Sequence, residues 1–147
     1  TGHPRHLIKA AAQIATGILR EPLKIYGDDY ETPDGTPIRD YIHVSDMADA
    51  HASAMEYLVS GGEPITLNCG YGQGVSVQEV IAAVQRVTGQ TLDTKIASRR
   101  PGDPPVLIAD TGAIHSVLGW TPRYDDLDLI IRTAIDWEKK DGGLAAA

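Results

Sequence analysis

The sequence predicts a small α/β domain built to pack against a further domain. Three observations carry that expectation. Helical and extended patterns alternate along the 147 residues, 42% of these residues are hydrophobic, and the alternation lacks the even spacing of a complete doubly wound sheet. That length is one domain's worth and suffices to bury a real core.

The first helix is expected over His3 to Leu19, where Leu7, Ile8, Ala11, Ile14, Ala15 and Ile18 recur at three- and four-residue steps and Pro4 suits the first turn. Leu23–Tyr26 reads as a strand. An acidic loop punctuated by Pro33, Gly35 and Pro37 leads to a second extended run, Ile38 to Val44. Ser45 is expected to cap a helix reaching about Val59, with Asp46 and Asp49 near its positive end and Met47, Met55, Leu58 and Val59 as apolar anchors. Gly61-Gly62 ends it, and Ile65–Cys69 reads as a strand entering the glycine turn Gly70–Gly74.

The next helix has the strongest local signals. Ser76 with Glu79 makes a capping box, Val77, Val80, Ile81, Val84 and Val87 form one face, and Gly89 stops it. Thr94–Ala97 is a short strand, Arg99 to Asp103 a loop, and Val106–Ala109 extended again. Asp110 or Thr111 caps a short helix ending at Gly119-Trp120, and Asp125-Asp126 opens a final helix to about Lys139. Residues 1–141 are thus expected to form one domain, and Gly142 to Ala147 a flexible tail.

Composition narrows the function. Thirteen basic against twenty acidic residues give a net charge of −7, which argues against nucleic acid or an anionic membrane as partner. A small anion responds instead to a local cluster, and Lys24, Arg39, Arg99 and Arg100 offer one. Cys69 is alone, so no internal disulfide can form, as suits a reducing cytosol. No apolar run approaches the ~18 to 20 residues of a membrane span, which makes a cytoplasmic protein the expectation.

Arg39 lies in an extended run, where side chains alternate between faces and are held rigidly. A guanidinium fixed this way suits a forked anion such as a diphosphate. The same residue also fits a surface pair with the adjacent Asp40. Arg99-Arg100-Pro101-Gly102-Asp103 reads likewise either as a solvated turn or as an anion and diol site. Gly70-x-Gly72-x-Gly74 follows a strand and precedes a helix, as in a dinucleotide fold. The fingerprint needs glycine at Val75, however, and no acid ends the following strand, so a structural turn is expected. His43, Asp46 and Asp49 straddle two elements without a metal-ligand spacing, so no metal is expected. Ser45 and Ser76 read as helix caps rather than nucleophiles.

The stretch from Lys24 to Asp49, KIYGDDYETPDGTPIRDYIHVSDMAD, resembles the UDP-glucose 4-epimerases of the extended short-chain dehydrogenase/reductase family. It joins an unusual YETPDGT loop to an RDYIHVSD run, in the substrate-binding half of those enzymes. The resemblance implies a domain that normally packs against an amino-terminal Rossmann domain, absent from this chain, that binds NAD. It implies interconversion of UDP-glucose and UDP-galactose through a 4-keto intermediate, in a cytoplasmic protein that forms a homodimer at full length. The family's catalytic Tyr with Lys four positions later is missing: tyrosines 26, 30, 41, 57, 71 and 124 are followed there by other residues. The chain begins with Thr1, and by the family's plan it is about 180 residues short. On its own it is expected to be inactive.

Carried over by resemblance, Arg39 and Arg100 hold the nucleotide's phosphates, Asp103 the ribose hydroxyls, and the Lys24-Ile25-Tyr26 strand receives the uracil. His6 and Leu7 fall near the diphosphate, with His6 where asparagine is commoner, and Tyr41 lies beside the nucleotide. Leu107 takes the position of a gatekeeper beside the sugar. It is intermediate between the bulky residues that restrict the pocket to glucose and galactose and the small ones that admit N-acetylated sugars. A dehydratase or decarboxylase of the same family would share this scaffold, and a non-catalytic nucleotide-sugar-binding module would share the grip.

Overall fold

The computed structural model describes residues 6–144. Helix α1 spans Leu7–Ala15, and Thr16 ends it by donating its hydroxyl back to the Ala12 carbonyl at 2.9 Å. The expected start at His3 and Pro4 lies outside the described residues. Strand β1, Leu23–Tyr26, buries Leu23 and Ile25 and turns Lys24 outward, the alternation its sequence calls for. Strand β2 is only Ile38–Arg39.

Beyond Arg39 the chain leaves the sheet, so the extended run expected to Val44 stops five residues early. Helix α2, Val44–Val59, is capped by His43 rather than Ser45: the His43 ring accepts the Ser45 amide at 3.0 Å. The imidazole reaches the same orphan amide that a serine hydroxyl would satisfy. Asp46 and Ala50 are the residues α2 buries. Met55, Leu58 and Val59, expected as anchors, are 63%, 52% and 83% exposed, because the carboxy-terminal half of α2 has little to pack on. Ile65–Cys69 forms no strand in this chain. Its β-branched residues favour extension, but strand formation needs a neighbouring strand to exchange hydrogen bonds.

Strand β3, Val75–Ser76, precedes helix α3, Val77–Thr88. Here every local signal is realised. Ser76 accepts the Glu79 amide at 3.0 Å, Glu79 accepts the Ser76 amide at 2.7 Å, and Gly89 closes the helix at φ +68°. Strands β4, Thr94–Ala97, and β5, Val106–Leu107, complete two small sheets. In one, β4 lies parallel to β1; in the other, β2 is central, antiparallel to β3 and parallel to β5. Helix α4, Gly112–Leu118, ends at Gly119 as expected, and α5, Leu127–Leu144, starts where Asp126 accepts the Leu129 amide. The helix therefore runs past Lys139 to Leu144, into the stretch expected as tail, whose last three residues lie outside the described residues.

Helices α1, α3 and α5 pack on one another and on β1 around Ala11, Ile25, Val80, Val84 and Ile131, all at 1% exposure or less. Small Ala11, Ala12 and Ala83 at these contacts let the helices approach closely. A second cluster joins α2 to α4 through Ala50, Ile114 and Trp120. The main core thus places the first turn of α1 and the end of β1 side by side, at the mouth of the cavity described next.

Candidate functional site

A cavity of about 380 Å³ opens between α1, β1, β2 and the loop after β4. Eight of the ten residues singled out in the sequence line it: His6, Leu7, Lys24, Tyr26, Arg39, Tyr41, Arg100 and Asp103. They come from four separate stretches of chain. Alternation places four of them: Lys24 and Tyr26 share one face of β1, while Arg39 and Tyr41 share the face of β2 and its extension. The remaining two do not line it. Ile25 points to the opposite side of β1 and is core at 1% exposure, so only its backbone can serve the site. Leu107 is 59% exposed, outside the cavity.

The two arginines are held differently. Arg39 donates from Nη1 to the Ile38 carbonyl at 2.7 Å and faces the Asp103 carboxylate with Nη2 at 3.7 Å. Arg100 lies over the Tyr26 ring, its guanidinium carbon 3.9 Å from the centroid, a cation–π contact that holds the charge while its N–H groups can still donate to an anion. Tyr41, also on the wall, is pushed up to about 12 by burial, against the opposing pull of Arg39, so it is a neutral hydroxyl at any physiological pH. Three cations, two carboxylates and three aromatic or heterocyclic side chains around one apolar-floored cavity can take a flat base at one end and a polyanion at the other.

Arg99 has separate work. It pairs with Asp29 at 2.7 Å and lies over the Tyr30 ring at 4.2 Å, pinning the acidic loop to the end of β4. That interaction pulls the Asp29 carboxyl below its usual range and lifts Arg99 above its own. Gly27 lets the loop close in: at φ +93°, a Cβ there would stand 2.6 Å from the Tyr30 ring and 2.7 Å from Arg99 Cγ. Adjacent residues of one dipeptide are thus sent to opposite duties.

Sequence reasoning missed Glu21, Pro22, Pro37 and Val77, which line the cavity together with apolar residues of α1 and the start of β1. Glu21 and Pro22 directly precede β1, and that adjacency was the available signal. The glycine turn is occupied from within: the Asp40 carboxylate accepts the amides of Tyr71 and Gly72. Those donors are therefore committed to a protein side chain, and the turn does not fit a dinucleotide's pyrophosphate. Among the described residues no group of three or more His, Cys, Asp or Glu could hold a metal ion. No helix of the described residues is long and apolar enough to cross a membrane.

Comparison with known proteins shows the family of the chain. The family model for GDP-mannose 4,6 dehydratase matches residues 1–133. A UDP-glucose 4-epimerase of Azospirillum brasilense is 53% identical over 134 residues, which is 91% of this chain and 38% of that protein. The structure of a UDP-glucose 4-epimerase from Stenotrophomonas maltophila, with bound NAD and formylated UDP-arabinopyranose, superposes at a TM-score of 0.91. It is 42% identical, covering 100% of this chain and 43% of that one. The Bifidobacterium longum UDP-glucose 4-epimerase in complex with NAD+ and UDP gives a TM-score of 0.89 at 36% identity, over 97% of this chain and 42% of that one. The chain spans less than half the length of the relatives it matches. It belongs to the GDP-mannose 4,6 dehydratase family, has the architecture of the carboxy-terminal part of the extended short-chain dehydrogenase/reductases, and is similar in sequence to their UDP-glucose 4-epimerases.

Proposed function

We propose that this chain is the UDP-sugar-binding part of a UDP-glucose 4-epimerase. The observation that carries the proposal is the convergence of eight predicted residues, from four stretches of chain, on one cavity. In this reading Arg39 and Arg100 hold the diphosphate, Asp103 the ribose hydroxyls, and the edge of β1 from Lys24 to Tyr26 the uracil. His6 and Leu7 bring the start of α1 to the same diphosphate, and Tyr41 adds a neutral hydroxyl donor. The described residues grip the nucleotide and leave the sugar outside, toward exposed Leu107, where it is free to turn. Anchoring a remote group while the reacting ring reorients is a sound use of binding energy.

Chemistry at the sugar, and the NAD that supports it, belong in this proposal to residues of a longer protein. No tyrosine here has lysine four positions on, so the chain by itself binds and does not epimerise. Full-length protein is read as a cytoplasmic homodimer by the same resemblance.

Amide NMR of the chain, titrated with UDP at low salt and with AMP as control, tests the grip. Shifts confined to Lys24–Tyr26, the Arg39 region and Arg100–Asp103, seen with UDP and not with AMP, are the expected result. Equal response to both nucleotides, or none to UDP, refutes it. Epimerase turnover by the purified chain would overturn the division of labour.

A further inference from the structure

Strand β2 is two residues long, yet Arg39 at its end must hold a fixed position if it is to grip a diphosphate. Pairing with β3 and β5 fixes Ile38 and Arg39, and the ladder stops there. The next residue, Asp40, is half-buried and lies between two cavity-lining side chains, Arg39 and Tyr41, without lining the cavity itself. Alternation turns its carboxylate to the opposite side of the chain.

There it meets three backbone amides from two other segments. Tyr71 N–H donates to both carboxylate oxygens, at 3.0 and 3.1 Å, Gly72 N–H donates to Oδ2 at 2.9 Å, and Ala109 N–H at 3.3 Å. Among the described residues Asp40 has no salt-bridge partner, so its charge is met by these dipoles. The glycines make this approach feasible. A Cβ on Gly70 would stand 2.4 Å from Asp40 Oδ2 and 2.7 Å from the Ala109 methyl, and Gly72 takes φ +68°. The glycine turn is therefore a receptor for an internal carboxylate.

We propose that Asp40 is a positioning residue for nucleotide binding: it clamps the end of β2 to the glycine turn and to the segment after β5, and thereby sets Arg39 against the diphosphate. The inference rests on the reading of the cavity as a UDP-sugar site. The clamp also ties Ala109, two residues past Leu107, to the phosphate grip, so both ends of the ligand are referred to one carboxylate.

The test compares UDP and uridine binding to the chain carrying Asp40→Asn, Arg39→Ala, or both. Uridine lacks the phosphates and reports the base and ribose contacts alone. Asp40→Asn is expected to weaken UDP by at least about tenfold, the low end for losing a hydrogen bond to a charged group, and to leave uridine unchanged. In the Arg39→Ala background it should have no further effect on UDP, because Asp40 acts through that arginine. Equal weakening of UDP and uridine, or additive losses in the double variant, would make Asp40 a general structural residue and overturn the proposal. Should Asp40→Asn fail to fold, Asp40→Glu, which keeps the charge and displaces it by one methylene, is read by the same comparison. An unaltered chain that binds no UDP would overturn the cavity reading and this inference with it. UDP binding that depends on Arg39 but not on Asp40 would overturn this inference alone.

Discussion

Asp46 offers the most searching test of what holds the fold together. It sits in the first turn of α2, is 0% exposed, and accepts three hydrogen bonds: Tyr71 Oη at 2.7 Å, Arg123 N at 3.0 Å and Tyr124 N at 2.9 Å. One carboxylate thus ties α2, the glycine turn and the segment before α5. Asp46→Ala leaves two amides without their acceptor, while the Tyr71 hydroxyl can still donate to the Tyr124 carbonyl at 3.1 Å. At the lower bound of about 1 kcal/mol for each unsatisfied group the loss is about 2 kcal/mol, and the helix-dipole contribution adds about 0.3 to 1. Against a total of roughly 5 to 15 kcal/mol for a domain, that is a large share. Tyr71→Phe removes one of the three bonds and also leaves the His43 amide, which donates to that hydroxyl at 3.0 Å, without its acceptor, so it should lose about 1 to 3 kcal/mol.

Urea unfolding followed by the fluorescence of Trp120, buried at 4% exposure, measures both variants. The pH dependence has a definite sign. Burial raises the Asp46 carboxyl, but the hydrogen bonds from Tyr71, Arg123 and Tyr124 outweigh it and hold the group below its ordinary 3.8. Its contribution is complete above that value and is lost as pH falls through the lower folded value. The unaltered chain should therefore lose stability more steeply in that acid window than Asp46→Ala does. An Asp46→Ala chain within about 0.5 kcal/mol of the original at neutral pH would refute the clasp.

Two shorter predictions separate neighbouring roles. Arg100→Ala should weaken UDP binding by about 1.5 to 3 kcal/mol in calorimetry, whereas Arg99→Ala, which loosens the acidic loop from β4, should leave that affinity within about threefold. A larger loss for Arg99→Ala than for Arg100→Ala would reverse the assignment. Ser76→Ala dismantles the capping box and the contact of its hydroxyl with Asp34, and a loss of about 1 to 2 kcal/mol is expected in thermal or urea unfolding; no change would remove the box from the fold's support.

What could be read from the sequence was what the chain decides locally. The Ser76–Glu79 box and the Gly89 and Gly119 stops depend on neighbours a few residues away, and each appears where its pattern places it. Strands β1 and β4 also stand where their composition puts them, though the partner each pairs with is the other, far along the chain. What depends on distant partners was less legible. Ile65–Cys69 has strand composition, yet no strand among the described residues pairs with it. The Ser45 cap was displaced by His43, whose ring is held from far along the chain by Thr133 at 3.0 Å and by stacking on Tyr124. In the cavity, alternation was enough to group Lys24 with Tyr26 and Arg39 with Tyr41. It could not divide Arg99 from Arg100, because the partners that separate them, Asp29 and Tyr26, lie some seventy residues earlier. Asp40, read in the sequence only as a surface partner for Arg39, hid its contacts for the same reason: its three donors are contributed by the glycine turn and by Ala109.

The Arg39–Asp103 pair, 3.7 Å apart, gives the cavity a built-in counter-ion. A diphosphate that reaches Arg39 exchanges one anion for another, so the electrostatic gain is a difference between two partners rather than the neutralisation of a bare cation. Weak or singly charged anions gain little from such an exchange, which guards the site against the common small anions of a cell. Under the proposed function, the displaced carboxylate is the group assigned to the ribose hydroxyls, and the exchange releases it toward them. Phosphate and ribose recognition thereby become one coupled step, and a ligand offering only one of the two groups completes half of the exchange.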